Sequence, residues 1–177
     1  MFRFNQFVKL AAVAALAGGL GAAPAQAANP TDPQIAHIAY TAGQIDIAAA
    51  HQALKKSHNP KVRAFAEDMV RDHTSVNDQA LALCKKLGVT PEDNETSKTL
   101  QKNAEAERAK LDGLSGAAFD KEYAQNEVAY HKAVNSALEN TLIPSAQNAE
   151  LKSLLETGLK IFKGHEQHAE TLAATLK

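Results

Sequence analysis

An all-α fold, a four-helix bundle of two antiparallel hairpins, is what this chain of 177 residues predicts. Three observations carry the prediction. Apolar residues recur at helical spacing along four long segments. Those segments are punctuated by helix start and stop signals such as Asn59-Pro60, Gly88 and Pro144. Strand signals are almost absent, and Ala, Leu, Lys, Glu and Gln dominate after the first residues.

Residues 1–27 read as a signal peptide. Arg3 and Lys9 give a basic start, Leu10 to Gly21 form a short apolar run, and Ala25-Gln26-Ala27 supplies the small-x-small cleavage pattern. The run is shorter than the roughly 20 residues of an ordinary membrane span, and no second candidate follows. Cleavage is expected after Ala27. Residues 28–177 then form one exported bundle domain, periplasmic or secreted, without an integral membrane span.

The first helix is expected from the region of Pro33, in its first turn, to about Ser57. Asn59 as cap and Pro60 at the first helical position restart the chain into a second helix, stopped near Leu87 by Gly88. Thr90-Pro91-Glu92-Asp93 resembles a capping box for a polar, weakly amphipathic segment that reaches about Asp112. Gly113 to Gly116 break that segment, with Ser115 as a cap. A further helix is expected from about Ala117 to Leu142, stopped by Pro144, and a last one from about Asn148 to the C-terminus. The stretch from Gly88 to Gly116 is long enough to cross the bundle end to end. This is the single long crossover of ferritin-like topology, in which the second and third core helices run parallel. A plain array of five helices is the alternative.

Composition narrows the function classes. Loss of Arg3 and Lys9 from 19 basic residues leaves 17 against 20 acidic ones, a net charge of −3. No basic face points to nucleic acid. Cys84 is the lone cysteine, so no intramolecular disulfide can form, and its place on an apolar stripe suits a buried, inert thiol.

The functional signal lies inside the apolar stripes. Asp46 falls in the stripe of Ile35, Ile38, Ala42, Ala49 and Ala53. His73 belongs with Phe65, Met69 and Val76, and Glu127 with His131, one turn apart, belongs with Tyr123, Tyr130 and Val134. His165 is flanked by Phe162 and Ala169. Burying a lone charge costs several kcal/mol, of order the penalties for unpaired ions. Three imidazoles and two carboxylates, spread over four helices, therefore point to one shared polar site. That donor set suits a divalent transition metal such as zinc, copper, iron or manganese. Neither His-Glu-x-x-His nor a pair of Glu-x-x-His motifs is present, so position rather than motif carries the metal reading.

Counting residues through the crossover puts Asp46, His73, His131 and His165 within about one turn of a common level. Counting through the last hairpin sets His165 out of step with His131 and nearer Glu127. Asp72 reads as a solvated neighbour or an orienter of an imidazole rather than a ligand, and His37, His51 and His58 as a surface face. A structural polar network and a metal-dependent redox enzyme are the alternatives. No residue is singled out as catalytic, and an enzyme is the less favoured reading. A protein partner or a homo-oligomer stays open.

Phe65-Ala66, Met69-Val70 and Asp72-His73, followed by Phe119-Asp120, Tyr123, His131 and His165, resemble the pattern of the bacterial domain-of-unknown-function 4142 family. The resemblance spans about Pro33 to Leu176. It implies an exported ferritin-like bundle and no particular activity. Asp46 is shorter than the Glu that the resemblance implies at its place on the first helix.

Overall fold

The computed structural model describes residues 29–176. The expected signal peptide, residues 1–27, lies outside the described residues.

Helix α1 (Asp32–Lys56) begins with Pro33 in its first turn, and the Gln34 side chain accepts a hydrogen bond from the Thr31 N–H at 3.2 Å. The Asn59 side chain accepts from the Lys61 N–H at 3.0 Å and opens α2 (Pro60–Leu87) on its proline. Gly88 ends α2 at φ 65°, a left-handed conformation that favours glycine. Helix α3 (Glu95–Asp112) follows an extended link, then α4 (Gly116–Ala137). Helix α6 (Ala149–Thr175) is capped by Asn148, which accepts from the Glu150 and Leu151 N–H groups.

Two sequence expectations are corrected here. The cap of α3 is Asn94, not the Thr90–Asp93 stretch: its side chain accepts from the Ser97 N–H at 3.0 Å, and Ser97 Oγ accepts from the Asn94 N–H at 3.2 Å. The Glu92 N–H is instead used by the Pro33 carbonyl, which holds that stretch extended. Pro144 does not stop α4. The helix passes through a π-helical turn (Leu138–Leu142) into a short last turn, α5 (Ile143–Ser145). A helical proline lacks an N–H and collides with the carbonyl four residues back. One wider turn, in which the Ile143 N–H bonds to the Leu138 carbonyl, lets the chain continue past it.

The four long helices pair as α1 with α2 and α4 with α6, and the second pairing side is α2 with α6. Helix α3 lies along α1 and runs parallel to it. Asn94 bonds to the Gln34 carbonyl at one end, and at the other Gln52 and Lys56 reach Arg108 and Asp112. This segment is the crossover, so α2 and α4 run in the same direction, as in ferritin-like bundles. Ser57 donates to Asp120 at 2.5 Å where α4 begins beside the α1–α2 turn. At the opposite end the Asp32 carboxylate accepts from the Gln147 and Asn148 N–H groups, each at 2.8 Å, and locks the start of α6 to the start of α1.

Apolar side chains form two clusters. One, at the α1–α2 turn, gathers Ala50, Ala53, Val62, Phe65, Met69, Phe119, Tyr123 and Leu172. The other, at the far end, gathers Ile35, Ile38, Leu138, Leu142, Leu151, Leu155 and Phe162. A layer of buried ionisable groups lies between them. Among the described residues no helix is long and apolar enough to cross a membrane.

Candidate metal centre

Each bundle helix sends at least one ionisable side chain into the layer: Asp46 from α1, His73 from α2, Glu127 and His131 from α4, and His165 from α6. All five are buried, with Asp46, Glu127 and His131 at 1% exposure. The helical stripe explains why they point inward, because each occupies a register position that its helix otherwise fills with apolar residues. The continuation past Pro144 explains why they meet. His131 is 14 residues before the end of α5, and His165 is 16 residues after the start of α6. The hairpin mismatch expected from a helix ending at Leu142 therefore largely disappears.

The three imidazoles form a near-regular triangle, with ring centroids 5.3, 5.5 and 5.8 Å apart. One nitrogen from each lies within 4.8 Å of the others, and Asp46, Glu127 and His131 form a second group of the same span that shares His131. Asp46 Oδ2 stands 3.2 Å from His73 Nε2 and 3.4 Å from His131 Nε2. A tetrahedral ion with bonds of about 2.0–2.2 Å spaces neighbouring ligand atoms about 3.3–3.6 Å apart. The carboxylate oxygen already lies close to that spacing from each of the two nitrogens.

Hydrogen bonds select which nitrogens are free. His131 Nδ1 lies 3.0 Å from the Glu127 carbonyl. A carbonyl only accepts, so Nδ1 carries the proton and Nε2 turns its lone pair toward Asp46. His165 Nε2 lies 3.0 Å from Asp72 Oδ2, so it donates there and leaves Nδ1 as the free inward atom. Asp72 is in turn held by Arg71, whose Nε donates to Oδ1 at 2.8 Å, while the same guanidinium donates to Asp68 at 2.6 Å. A carboxylate behind an imidazole is the usual support of a metal-binding histidine. His73 is fixed differently, stacked face to face on Phe162 with centroids 4.5 Å apart and planes 7° from parallel.

Seven side-chain atoms of this layer have no hydrogen-bond partner: both Asp46 oxygens, both His73 nitrogens, Glu127 Oε2, His131 Nε2 and His165 Nδ1. The short Asp46–His73 and Asp46–His131 distances are ion-pair distances that miss hydrogen-bond alignment. Burial governs their protonation. It raises Asp46 from 3.8 to about 8. It raises Glu127 well above the carboxylate range, reinforced by the neighbouring Asp46 charge. It lowers His131 to about 4 and His73 well below 6.5, and it outweighs the Asp72 contact in lowering His165. At neutral pH the imidazoles are therefore neutral, with lone pairs available, and the carboxyl groups lack a cation to hold their charge. A divalent ion satisfies both conditions at once.

The sequence-read residues thus all converge. Of the two readings of Asp72, the structure shows the orienter, paired with His165. Arg71, which anchors Asp72, and Phe162, which stacks on His73, were not read as part of the site. Asp68, Arg71 and Asp72 on adjoining positions of α2 were the visible signal for the first. Glu166 accepts from Asn135 at 2.7 Å. Of the expected surface face, His51 and His58 are exposed, whereas His37 is half-buried with its Nδ1 buried and unpartnered; Cys84 is buried.

No curated protein matches this sequence. Among solved structures, a DUF305 fragment from Deinococcus radiodurans is similar with a TM-score of 0.70 at 16% identity, covering 84% of this chain and 100% of its own. CopM in the Cu(II)-bound form is similar with a TM-score of 0.64 at 14% identity, covering 85% of this chain and 100% of its own. At such identities the likeness is one of helical fold. The sequence match is broader: residues 17–172 fit the family model for a domain of unknown function, and the chain belongs to the DUF4142 family.

Proposed function

We propose that this chain is an exported metal-binding bundle of the cell envelope, holding a divalent transition metal ion in the polar layer. His73, His131 and His165 supply nitrogens, and Asp46 supplies the carboxylate, with Glu127 as a further oxygen donor on the Asp46 side. The observation that carries the reading is the set of seven unpartnered atoms converging in one buried layer. A purely structural polar network would hydrogen-bond those atoms to one another, because each buried unpaired group costs about 1–3 kcal/mol. Nitrogen and carboxylate donors suit copper, zinc, iron and manganese. Copper is the first ion to try, since a protein of similar fold is known in a Cu(II)-bound form.

Calorimetric titration of chelator-treated protein with Cu²⁺, Zn²⁺, Mn²⁺ and, under anaerobic conditions, Fe²⁺ tests the reading. Saturable binding of at least one ion, abolished in His131→Ala, is expected. Absence of saturable binding for all four ions sinks it. Export is tested separately, by N-terminal sequencing of the chain recovered outside the cytoplasm, which should begin at Ala28.

A further inference from the structure

The polar layer has a neighbour that the metal reading does not use. A cavity of about 710 Å³ runs from Asp46 and Glu127 between α1, α3 and α4 toward the far apolar cluster. Its walls are largely apolar, with Ile38, Ala42, Leu100, Val134, Leu142 and Phe162 among them. Cavities of this size accommodate drug-sized molecules, whose pockets are about 300–1,000 Å³.

The charged groups of the lining differ sharply in number. Asp46, Glu95, Glu107 and Glu127 are acidic; Arg108 is the one Lys or Arg that lines it, and His73 and His131, whose burial lowers their pKa, stand beside Asp46. Glu95 and Arg108 are exposed at the rim, whereas Asp46 and Glu127 sit at the closed end at 1% exposure. Both Asp46 oxygens and Glu127 Oε2 have no hydrogen-bond partner there. A ligand matching this arrangement has an apolar body and a compact head that donates hydrogen bonds and carries positive charge. An anionic head would meet two carboxyl groups and no cation at the closed end.

We propose that the cavity binds an amphipathic amine, its ammonium group between Asp46 and Glu127 and its apolar body between α1, α3 and α4. Asp46 and Glu127 are also the carboxyl donors of the proposed metal site, so amine and metal compete for this end of the cavity, and amine binding is read with the metal withheld. The lining also explains the arrangement of α3, which is anchored at its two ends by Asn94, Arg108 and Asp112 but spans the cavity between them with Leu100 and Ala104.

The test is calorimetric titration of the purified chain, with chelator present throughout, using dodecylamine, dodecanol and dodecanoate below their aggregation concentrations. The amine should bind at least about tenfold more tightly than the alcohol, with the acid weakest. Glu127→Gln keeps the shape and removes one charge partner. It should weaken the amine by about ten- to a hundredfold and leave the alcohol unchanged, the scale of one charge-assisted hydrogen bond. Ala104→Phe fills the cavity from α3 without touching the polar layer, and should remove binding of amine and alcohol alike while retaining helical circular dichroism. Equal affinity for amine and alcohol overturns the proposal. So does a Glu127→Gln variant that binds the amine as the parent does, or undiminished binding by folded Ala104→Phe.

Discussion

The two apolar clusters on either side of the polar layer are built differently. At the α1–α2 turn, Val62, Phe65, Ala66, Met69, Phe119, Tyr123 and Ala124 are all fully buried. Aromatic rings organise that half: Tyr123 packs edge-on against Phe65 at 6.2 Å and stacks on Phe119 at 6.1 Å. At the far end Leu138, Leu142, Leu151, Leu155 and Phe162 retain 3–8% exposure and border the cavity. One half is closed and sets the helix positions, and the other leaves room beside the carboxyl groups. The difference teaches why a ferritin-like bundle can keep ionisable groups buried without a second domain: the tight half holds the register, and the loose half provides access.

Truncation should break this contrast first. Phe65→Ala is expected to cost about 3–5 kcal/mol in chemical denaturation, because the tight half cannot collapse into the void. Leu142→Ala, whose side chain already faces the cavity, is expected to cost less, near the lower end of about 2–5 kcal/mol. Equal losses at the two positions would erase the distinction between the halves.

Proton linkage addresses the layer between them. Burial raises Asp46 from 3.8 to about 8, so across that window the folded metal-free chain holds a proton that the unfolded chain has lost. Its contribution to stability is present below pH 3.8, falls as the pH rises toward about 8, and then levels off. An entering ion must displace that proton. Metal affinity should therefore strengthen about tenfold per pH unit from about pH 6 to about pH 8, measured by competition with a chelator of known affinity. His131, lowered to about 4, already offers a free nitrogen throughout that range. A flat profile would mean that Asp46 is not a ligand.

Smaller still is the effect of the outer support. Asp72→Asn removes the carboxylate that accepts from His165 and pairs with Arg71. It should lower metal affinity by about tenfold, the modest end for such partners, with little change in denaturation midpoint. An unchanged affinity would detach His165 from the centre.

The residues of the layer were legible in the sequence because each interrupts an apolar stripe of helical period, which a buried ionisable group does visibly. The helix ends at Asn59-Pro60, Gly88 and Asn148 were legible for a similar reason: cap chemistry is local. The extension of α4 was not. A proline reads as a stop, and the π turn that carries the chain past Pro144 is a backbone response with no side-chain signature. The cavity was hidden as well, because it depends on where α3 lies. That helix buries only Ser97 and Leu111, too few to show a face to the eye. The Asp72–His165 contact needed α2 and α6 to be neighbours, which spacing within one helix cannot reveal.

The most direct test of the central claim is elemental analysis of untagged protein purified from its native host, beside His131→Ala, the one residue common to both ligand groups. Near-stoichiometric transition metal in the parent and its loss in a folded variant are the predicted result. A metal-free parent that stays empty when its growth medium is supplemented, or a variant that retains the metal, would contradict the account.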